Sequence, residues 1–208
     1  ENICGNNKIM KNIKIAIAGN PNTGKSTLFN YIAGTDQHVG NYPGVTVERK
    51  EGKIERNGYS LTVTDLPGIY SMNAFSPEEI VTRNYIANEN PDVVVNIIDA
   101  SNIEKNLYLT LQILEMKVPV VIFLNMMDAA QDRGFAILPD VLEKELETPV
   151  VSGVAKKRKG IEELLDKCIE IYETQPATTT VPYSDLAERY ISRIKDVIAM
   201  KTLLLLQS

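Results

Sequence analysis

Residues 19 to 26, Gly-Asn-Pro-Asn-Thr-Gly-Lys-Ser, combine two glycines, an amine and a hydroxyl at the spacing of a loop that wraps phosphate. Gly19 and Gly24 let successive backbone N–H groups turn toward anionic oxygens. Lys25 brings a positive charge to the outer phosphates, and the Ser26 hydroxyl can ligate Mg²⁺. Such a loop works only between a strand and a helix. The apolar run Ile13, Ile15, Ala16, Ile17, Ala18 supplies the first, and the helix formers Ser26 to Ile32 supply the second. The positive end of that helix adds to the field at the same anion. With this context an ordinary glycine turn is the weaker reading, and the chain reads as a nucleotide-binding protein.

About a hundred residues later, Asn125-Met126-Met127-Asp128 follows a second buried run, Val118 to Leu124. A carboxylate at position 128 can accept from both the ring N–H and the exocyclic amine of guanine, while Asn125 ties this loop to the phosphate loop. Adenine offers neither pair of donors, and a site built around such bonds can discriminate by about 10⁴. Taken alone, Asn125 and Asp128 could equally cap the helix running on to Gln131. Their order and spacing relative to the phosphate loop favour guanine.

Between the two landmarks, Asp65-Leu66-Pro67-Gly68 closes the alternating stretch Leu61, Val63, Thr64. Asp65 is placed to hold Mg²⁺ through a water, and the Gly68 N–H to reach a γ-phosphate only while that group is present. Loss of the phosphate would release the loop from Leu66 to about Glu78, an order-to-disorder switch. The bland alternative is a plain strand-to-turn Asp-x-Pro-Gly. Upstream, in the loop between the first helix and the second strand, Thr46 is the natural second hydroxyl ligand for Mg²⁺.

Six segments together resemble the cytoplasmic G domain of the ferrous iron transport protein B (FeoB) family. They are the phosphate loop, Gly-Asn-Tyr-Pro-Gly-Val-Thr-Val-Glu-Arg-Lys-Glu-Gly (40 to 52), Asp-Leu-Pro-Gly-Ile-Tyr-Ser (65 to 71), Ser-Pro-Glu-Glu (76 to 79), Asn-Leu-Tyr-Leu-Thr-Leu-Gln (106 to 112) and Asn-Met-Met-Asp. The resemblance runs from about Lys14 to Tyr172. Its most specific parts are the 40 to 52 and 106 to 112 segments, because the other motifs are shared by related GTPases.

The resemblance implies a GTPase with a Ras-like, mostly parallel α/β sheet flanked by helices. It also implies GTP or GDP, Mg²⁺ and K⁺ as ligands. Nucleotide contacts would come from Gly19, Asn20, Pro21, Asn22, Thr23, Gly24, Lys25, Ser26 and Thr27, then Gly44, Val45 and Thr46, then Asp65, Pro67 and Gly68, then Asn125, Met126 and Asp128, and last Val154, Ala155 and Lys156. Ser26, Thr46 and, through water, Asp65 would serve Mg²⁺. Asn22, with backbone carbonyls around Gly40 and Tyr42, would bind K⁺ beside the β- and γ-phosphates. That cation would neutralise charge that builds during phosphoryl transfer, so Lys25, Thr46, Gly68 and Asn22 form the catalytic set. A substitute charge matters here because Ile69 stands where Ras-like proteins carry a water-orienting glutamine. Turnover is expected above the order of 10⁻⁴ s⁻¹ of unassisted Ras in K⁺, but still low.

This chain departs from the general pattern at two places. Met126 replaces the usual lysine of Asn-Lys-x-Asp, so a thioether chain must cover one face of the base. Ser-Ala-Lys is expected in the last guanine-binding element, yet the chain reads Ser152-Gly153-Val154-Ala155-Lys156-Lys157-Arg158-Lys159-Gly160. Either Val154-Ala155-Lys156 takes that place, or Ser152-Gly153-Val154 does in a longer loop. The first is preferred because Ala155 would then offer its backbone N–H to the guanine O6. Weak contacts in this loop would favour fast GDP release.

With 208 residues, 44% of them hydrophobic, the chain can build one α/β domain and an appendage. A net charge of −5 argues against nucleic acid as a main partner, and the basic run Lys156 to Lys159 reads as a solvated loop. Cys4 and Cys168 form no CxxC pattern and suggest reduced thiols. His38, the only histidine, cannot make an iron site alone. No signal peptide and no apolar run long enough to span a bilayer is visible, Leu203 to Leu206 being four residues. Under the resemblance, the chain is therefore expected to be a soluble fragment at the cytoplasmic face of the inner membrane. Its partner would be the transmembrane permease part of the same protein.

Periodicity predicts strands at 13–19, 47–56, 59–65, 92–98, 118–124 and 149–152, with Asn57-Gly58 as the hairpin turn of the one antiparallel pair. Helices are predicted at 25–33, 78–88, 103–116, 139–146 and 160–173. Residues 1–11 read as a lead-in, 12–174 as the G domain, 175–182 as a threonine- and proline-rich linker, and 183–208 as part of a helical domain. That last helix, capped by Ser184, carries an apolar stripe that could pair copies of the chain into a homo-oligomer. Two other functional classes share the motifs. A ribosome-assembly GTPase would add a basic RNA-binding region that this acidic chain lacks. A GTP-dependent docking module would bind without measurable hydrolysis.

Overall fold

The computed structural model describes residues 10–176. The lead-in up to residue 9, the linker beyond Pro176 and the helix expected at 183–208 lie outside the described residues. Among the described residues, seven strands form one sheet: β1 (Lys11–Gly19), β2 (Gln37–Asn41), β3 (Glu48–Arg56), β4 (Tyr59–Asp65), β5 (Val93–Asp99), β6 (Val120–Asn125) and β7 (Val150–Ser152). Six α-helices alternate with them: α1 (Lys25–Ala33), α2 (Pro77–Asn88), α3 (Ile103–Glu115), α4 (Met127–Asp132), α5 (Pro139–Leu146) and α6 (Ile161–Thr174). The spatial order is β2-β3-β4-β1-β5-β6-β7.

From β4 to β7 every pairing is parallel, while β2, β3 and β4 run antiparallel. Parallel strands are covered on both faces and so read as continuous apolar runs, as β5 (VVVNIID) and β6 (VVIFLN) do. Alternation along β1 splits its side chains between two cores. Ile13, Ile15 and Ile17 join Leu28, Phe29, Phe123, Leu164 and Cys168 under α1 and α6. Ala16 and Ala18 join Ile86, Val94, Ile98, Leu109 and Ile113 under α2 and α3.

The hairpin between β3 and β4 turns at Asn57 and Gly58, at φ 51° and 82°, the two positive values that a type I′ turn needs. Helix α2 starts with a reciprocal cap, the Ser76 hydroxyl accepting from the Glu79 N–H and Glu79 reaching back. One expectation is corrected: the sheet has two antiparallel pairings, because β2 adds an edge strand beside β3. Its residues, Gln-His-Val-Gly-Asn, are mostly exposed and lack apolar alternation. Pairing with β3, and not burial, holds it in place.

Gly19, Asp65, Asn125 and Ser152 end β1, β4, β6 and β7. All four strands share one direction, so the loops that follow them meet at one edge of the sheet. Crevices at the carboxyl ends of parallel strands are where such folds bind ligands.

Candidate functional site

The phosphate loop joins β1 to α1 with little room to spare. A Cβ on Gly19 would lie 2.5 Å from the Ile97 carbonyl oxygen. One on Gly24, whose φ is 95°, would lie 2.5 Å from Asn125 Nδ2. Glycine is therefore required at both positions by close approach of neighbouring strands. Inside the loop the Thr23 hydroxyl donates to the Asn20 carbonyl at 2.9 Å, and Lys25 Nζ donates to the same oxygen at 3.0 Å. Asn22 is exposed at φ 65°.

Lys25 and Asp65 face one another across this loop and are only 8% and 9% exposed. Burial lowers the Lys25 amine from its ordinary value, and the Asp65 charge partly restores it. Burial likewise raises the Asp65 carboxyl, against the effect of Lys25 and of the Ser26 hydroxyl. Both ions are short of solvation. An anion stabilises the amine and a cation the carboxylate, and a metal-bound phosphate brings both. Ser26 Oγ donates to Asp65 Oδ2 at 3.2 Å, while the buried Asp65 Oδ1 has no hydrogen-bond partner. A hydroxyl beside an unsatisfied carboxylate oxygen fits a hard, oxygen-seeking ion such as Mg²⁺.

The segment after Asp65 leans on the phosphate loop. The Ile69 N–H donates to the Gly19 carbonyl at 3.3 Å, and a Cβ on Gly68 would come within 2.9 Å of Lys25 Nζ. The Thr82 hydroxyl donates to the Pro67 carbonyl at 3.4 Å. Ile69 is 2% exposed and packed among Leu66, Met72, Val81 and Tyr85, so its side chain points into the core. Two side chains hold the rest of the loop. Gln112 accepts from the Met72 N–H at 2.9 Å, and Glu79 accepts from the Ser71 hydroxyl and the Phe75 and Ser76 N–H groups.

Residues 40 to 47 lie at the sheet edge. Gly40 is in β2 opposite Arg49 of β3. Tyr42 is buried, edge-on to Tyr85, with the Arg49 guanidinium 5.6 Å from its ring and 5.7 Å from that of Tyr85. The Tyr42 carbonyl accepts from the Val45 N–H at 3.3 Å. Thr46 and Gly44 are exposed. Of the proposed K⁺ ligands, Asn22 and Gly40 are exposed, and the Tyr42 carbonyl already accepts from the Val45 N–H. The carbonyls of Gly40 and Tyr42 sit on a separate, hydrogen-bonded segment.

At the other end of the crevice, Asn125 is 3% exposed and joins three loops. Its Nδ2 donates to the Thr23 carbonyl at 2.8 Å, and its Oδ1 accepts from the Ala155 N–H at 2.8 Å. The expected tie between the Asn125 loop and the phosphate loop is therefore present. Met126 adopts φ 60° at the N-cap, so that Asp128 lies in the first turn of α4. Its Oδ1 accepts from the Ala129 N–H at 3.0 Å and its Oδ2 pairs with Lys157 Nζ at 2.8 Å. Lys157 holds the Asp128 carboxyl below its ordinary value.

Of the two places open to the last element, the structure brings Val154-Ala155-Lys156 to Asn125. Ser152 belongs to β7, opposite Leu124, and the Gly153 N–H is spent on the Leu124 carbonyl. The Ala155 N–H, read from sequence as free for a base, is donated to Asn125 Oδ1. Among the described residues no three His, Cys, Asp or Glu side chains gather as a metal cluster, and no helix is long and apolar enough to cross a membrane.

A family model described as ferrous iron transport protein B matches residues 13–168. The chain belongs to that family. The FeoB Fe(2+) transporter of Methanocaldococcus jannaschii is 49% identical over 189 residues, which are 91% of this chain and 28% of the relative. The Escherichia coli K12 transporter FeoB is 42% identical over 179 residues, 84% of this chain and 23% of its own length. The chain thus spans about a quarter of these curated relatives. Among solved structures, the FeoB G domain from Methanococcus jannaschii is 50% identical with a TM-score of 0.69, over 78% of this chain and 98% of that one. The cytosolic domain of T. maritima FeoB in its GMPPNP form is 38% identical with a TM-score of 0.84, over 88% and 73%. A mutant S. thermophilus NFeoB bound to mGDP is 44% identical with a TM-score of 0.83, over 89% and 71%.

Within this FeoB fold, three contacts escaped the sequence reading. The Lys157 to Asp128 pair is hidden inside a basic run that looks like solvated surface. Arg49 between Tyr42 and Tyr85 joins residues on separate elements, a contact no local pattern announces. Gln112 was visible only as part of the 106 to 112 segment, without its bond to Met72.

Proposed function

We propose that this chain is a Mg²⁺-dependent GTP-binding and GTP-hydrolysing switch, serving as the nucleotide-sensing part of a ferrous iron transporter. The observation that carries the reading is Asn125, which fixes the Asp128 loop and the Ala155 loop beside the phosphate loop through two 2.8 Å bonds. A purine whose phosphates lie in the 19 to 26 loop would meet Asp128 with its donors and the Ala155 turn with its O6.

Phosphate would be held by Lys25 and the backbone N–H groups of the loop, with Gly44, Val45, Thr46 and Thr27 around it. Ser26, Thr46 and Asp65 would hold Mg²⁺, which supplies charge neutralisation at the β- and γ-oxygens. Gly68, already against Lys25, is placed to sense the γ-phosphate by its N–H. Because Ile69 is committed to the core, backbone groups must orient the attacking water, and hydrolysis is slow. A K⁺ ion at Asn22 would offset part of that deficit. Its remaining ligands would be the carbonyls of Gly40 and Tyr42, the latter by its second lone pair, since the Val45 N–H already donates to it.

In the whole protein the switch would sit at the cytoplasmic face of the membrane and act on the transmembrane remainder of the same chain. Calorimetry should find GDP and GTP bound with Mg²⁺ and ATP bound far more weakly; equal affinity for ATP removes the guanine assignment. Phosphate release should rise when K⁺ replaces Na⁺. The buried Ile69 also favours a second reading, a GTP-dependent docking module with negligible turnover, and flat release in both salts would select it.

A further inference from the structure

Both groups that the guanine reading assigns to the base are already satisfied inside the protein. The Asp128 carboxylate receives an ammonium from Lys157 at 2.8 Å, as it would receive the ring N–H and amine of guanine. The Ala155 N–H is accepted by Asn125 Oδ1 at 2.8 Å, as it would be by O6. Lys157, on the turn after β7, and Asn125, at the end of β6, therefore supply between them the donor and the acceptor that a guanine edge would present.

That loop is built to keep Lys157 in place. Val154 and Lys159 exchange backbone hydrogen bonds at 3.1 and 3.2 Å, closing the base of a small turn. Its tip is fastened to α1, the Tyr31 hydroxyl donating to the Lys156 carbonyl at 3.3 Å and the Arg158 guanidinium lying 4.8 Å from the Tyr31 ring. Arg158 takes φ 57°, which reverses the chain directly after Lys157. Of the four cations in the run, Lys157 is the one paired with Asp128. A cleft of about 800 Å³ lies beside the pair, lined by Gln131, Phe135, Ile137 and Val154 as well as Asp128 and Lys157. No phosphate-loop residue borders it, so the ammonium has room to swing aside without disturbing the phosphates.

We propose that Lys157 is an internal competitor for the guanine edge: it occupies Asp128, must be displaced for a base to bind, and retakes the carboxylate as the base leaves. The inference rests on the guanine reading and adds a regulatory residue to it. An exposed ion pair of this kind changes a binding constant by at most about fivefold. Simple loss of a positive charge near an anionic ligand would have the opposite sign, which makes the two effects separable.

The test compares the wild-type 208-residue chain with Lys157→Met and Lys157→Arg, using GDP and inorganic pyrophosphate as probes at low and high salt. Lys157→Met should bind GDP about threefold tighter and release it more slowly at low salt. The gain should shrink at high salt, where the wild-type pair is itself screened. Lys157→Arg should behave as wild type. Pyrophosphate, which has no base, should gain nothing from either change. Unchanged or weaker GDP binding by Lys157→Met at low salt overturns the proposal, as does an equal gain for pyrophosphate. Should the wild-type chain fail to prefer GDP over ADP, the guanine reading itself falls, and the role of Lys157 falls with it.

Discussion

At the phosphate end of the crevice Asn20, Thr23, Lys25 and Asp65 are each less than a tenth exposed, whereas at the base end the Asp128 and Lys157 side chains keep 38% and 67% of their surface in solvent. The first group is positioned by strand ends and by glycines that admit no Cβ. The second is positioned by one helix start and one surface turn. Preorganised charges in a buried pocket bind strongly and have their geometry set during folding. Exposed charges are weaker and adjustable. On the proposed guanine reading, the phosphate grip would serve any ligand carrying phosphates, while choice of base and speed of exchange would be set at the exposed end.

Asn125 joins the two ends, and its loss should have the largest effect. Asn125→Ala leaves the Thr23 carbonyl and the Ala155 N–H without their partner in a buried setting. Two orphaned groups cost together about 2–6 kcal/mol. A chain of this size loses roughly 2–4 °C of Tm per kcal/mol. Thermal and urea unfolding should therefore both shift markedly, and nucleotide binding should fail with them. A variant of wild-type stability would show that the two ends are independently held, contrary to the comparison.

Asp128→Asn probes the exposed end alone. An amide can accept at one position only, so GTP affinity should fall by about a hundredfold. Tm should move little, since the side chain is half in solvent. Full affinity in this variant would remove guanine recognition from Asp128, and a large loss of Tm would mean that the base end is as structural as the phosphate end.

How far sequence exposes the site follows the same division. The buried end was legible because burial leaves marks in one dimension: continuous apolar runs for β5 and β6, alternation on β1, and glycines where a loop must pass close to a strand. Phosphate loop, Asp65 and Asn125 all follow such runs directly. The exposed end leaves no comparable mark. Nothing in Lys156 to Lys159 distinguishes the lysine that reaches Asp128 from its neighbours, because the choice is made by a turn clamped through Val154, Lys159 and Tyr31. Edge strand β2 was missed for a related reason, its five residues being held by backbone bonds that any sequence can make.

A smaller effect is expected at Asn22, which is exposed within an otherwise buried loop. Asn22→Ala should leave GDP affinity unchanged and abolish stimulation of GTP turnover by K⁺ over Na⁺. A variant still stimulated would place the cation elsewhere and would detach Gly40 and Tyr42 from the proposal as well.

The smallest effect concerns the Lys157 to Asp128 pair as a contributor to stability. Lys157 lowers the Asp128 carboxyl below its ordinary 3.8, and Asp128 raises the Lys157 amine. A carboxyl with a depressed folded-state pKa contributes stability that is present above its unfolded value and is lost as pH falls through the folded value. An amine with a raised one contributes below its unfolded value and loses that contribution only as pH rises through the folded value. Both conditions hold between the carboxylate and amine ranges, so the wild-type chain should unfold slightly above Lys157→Met throughout that window. The gap, about a degree or two for an exposed pair, should close in acid below the lowered Asp128 value and in strong base above the raised Lys157 value. Salt should close it at neutral pH too. A gap that persists in acid, where the carboxylate is protonated, would mean that the aliphatic stem of Lys157 packs against its cleft and that charge is not what holds it there.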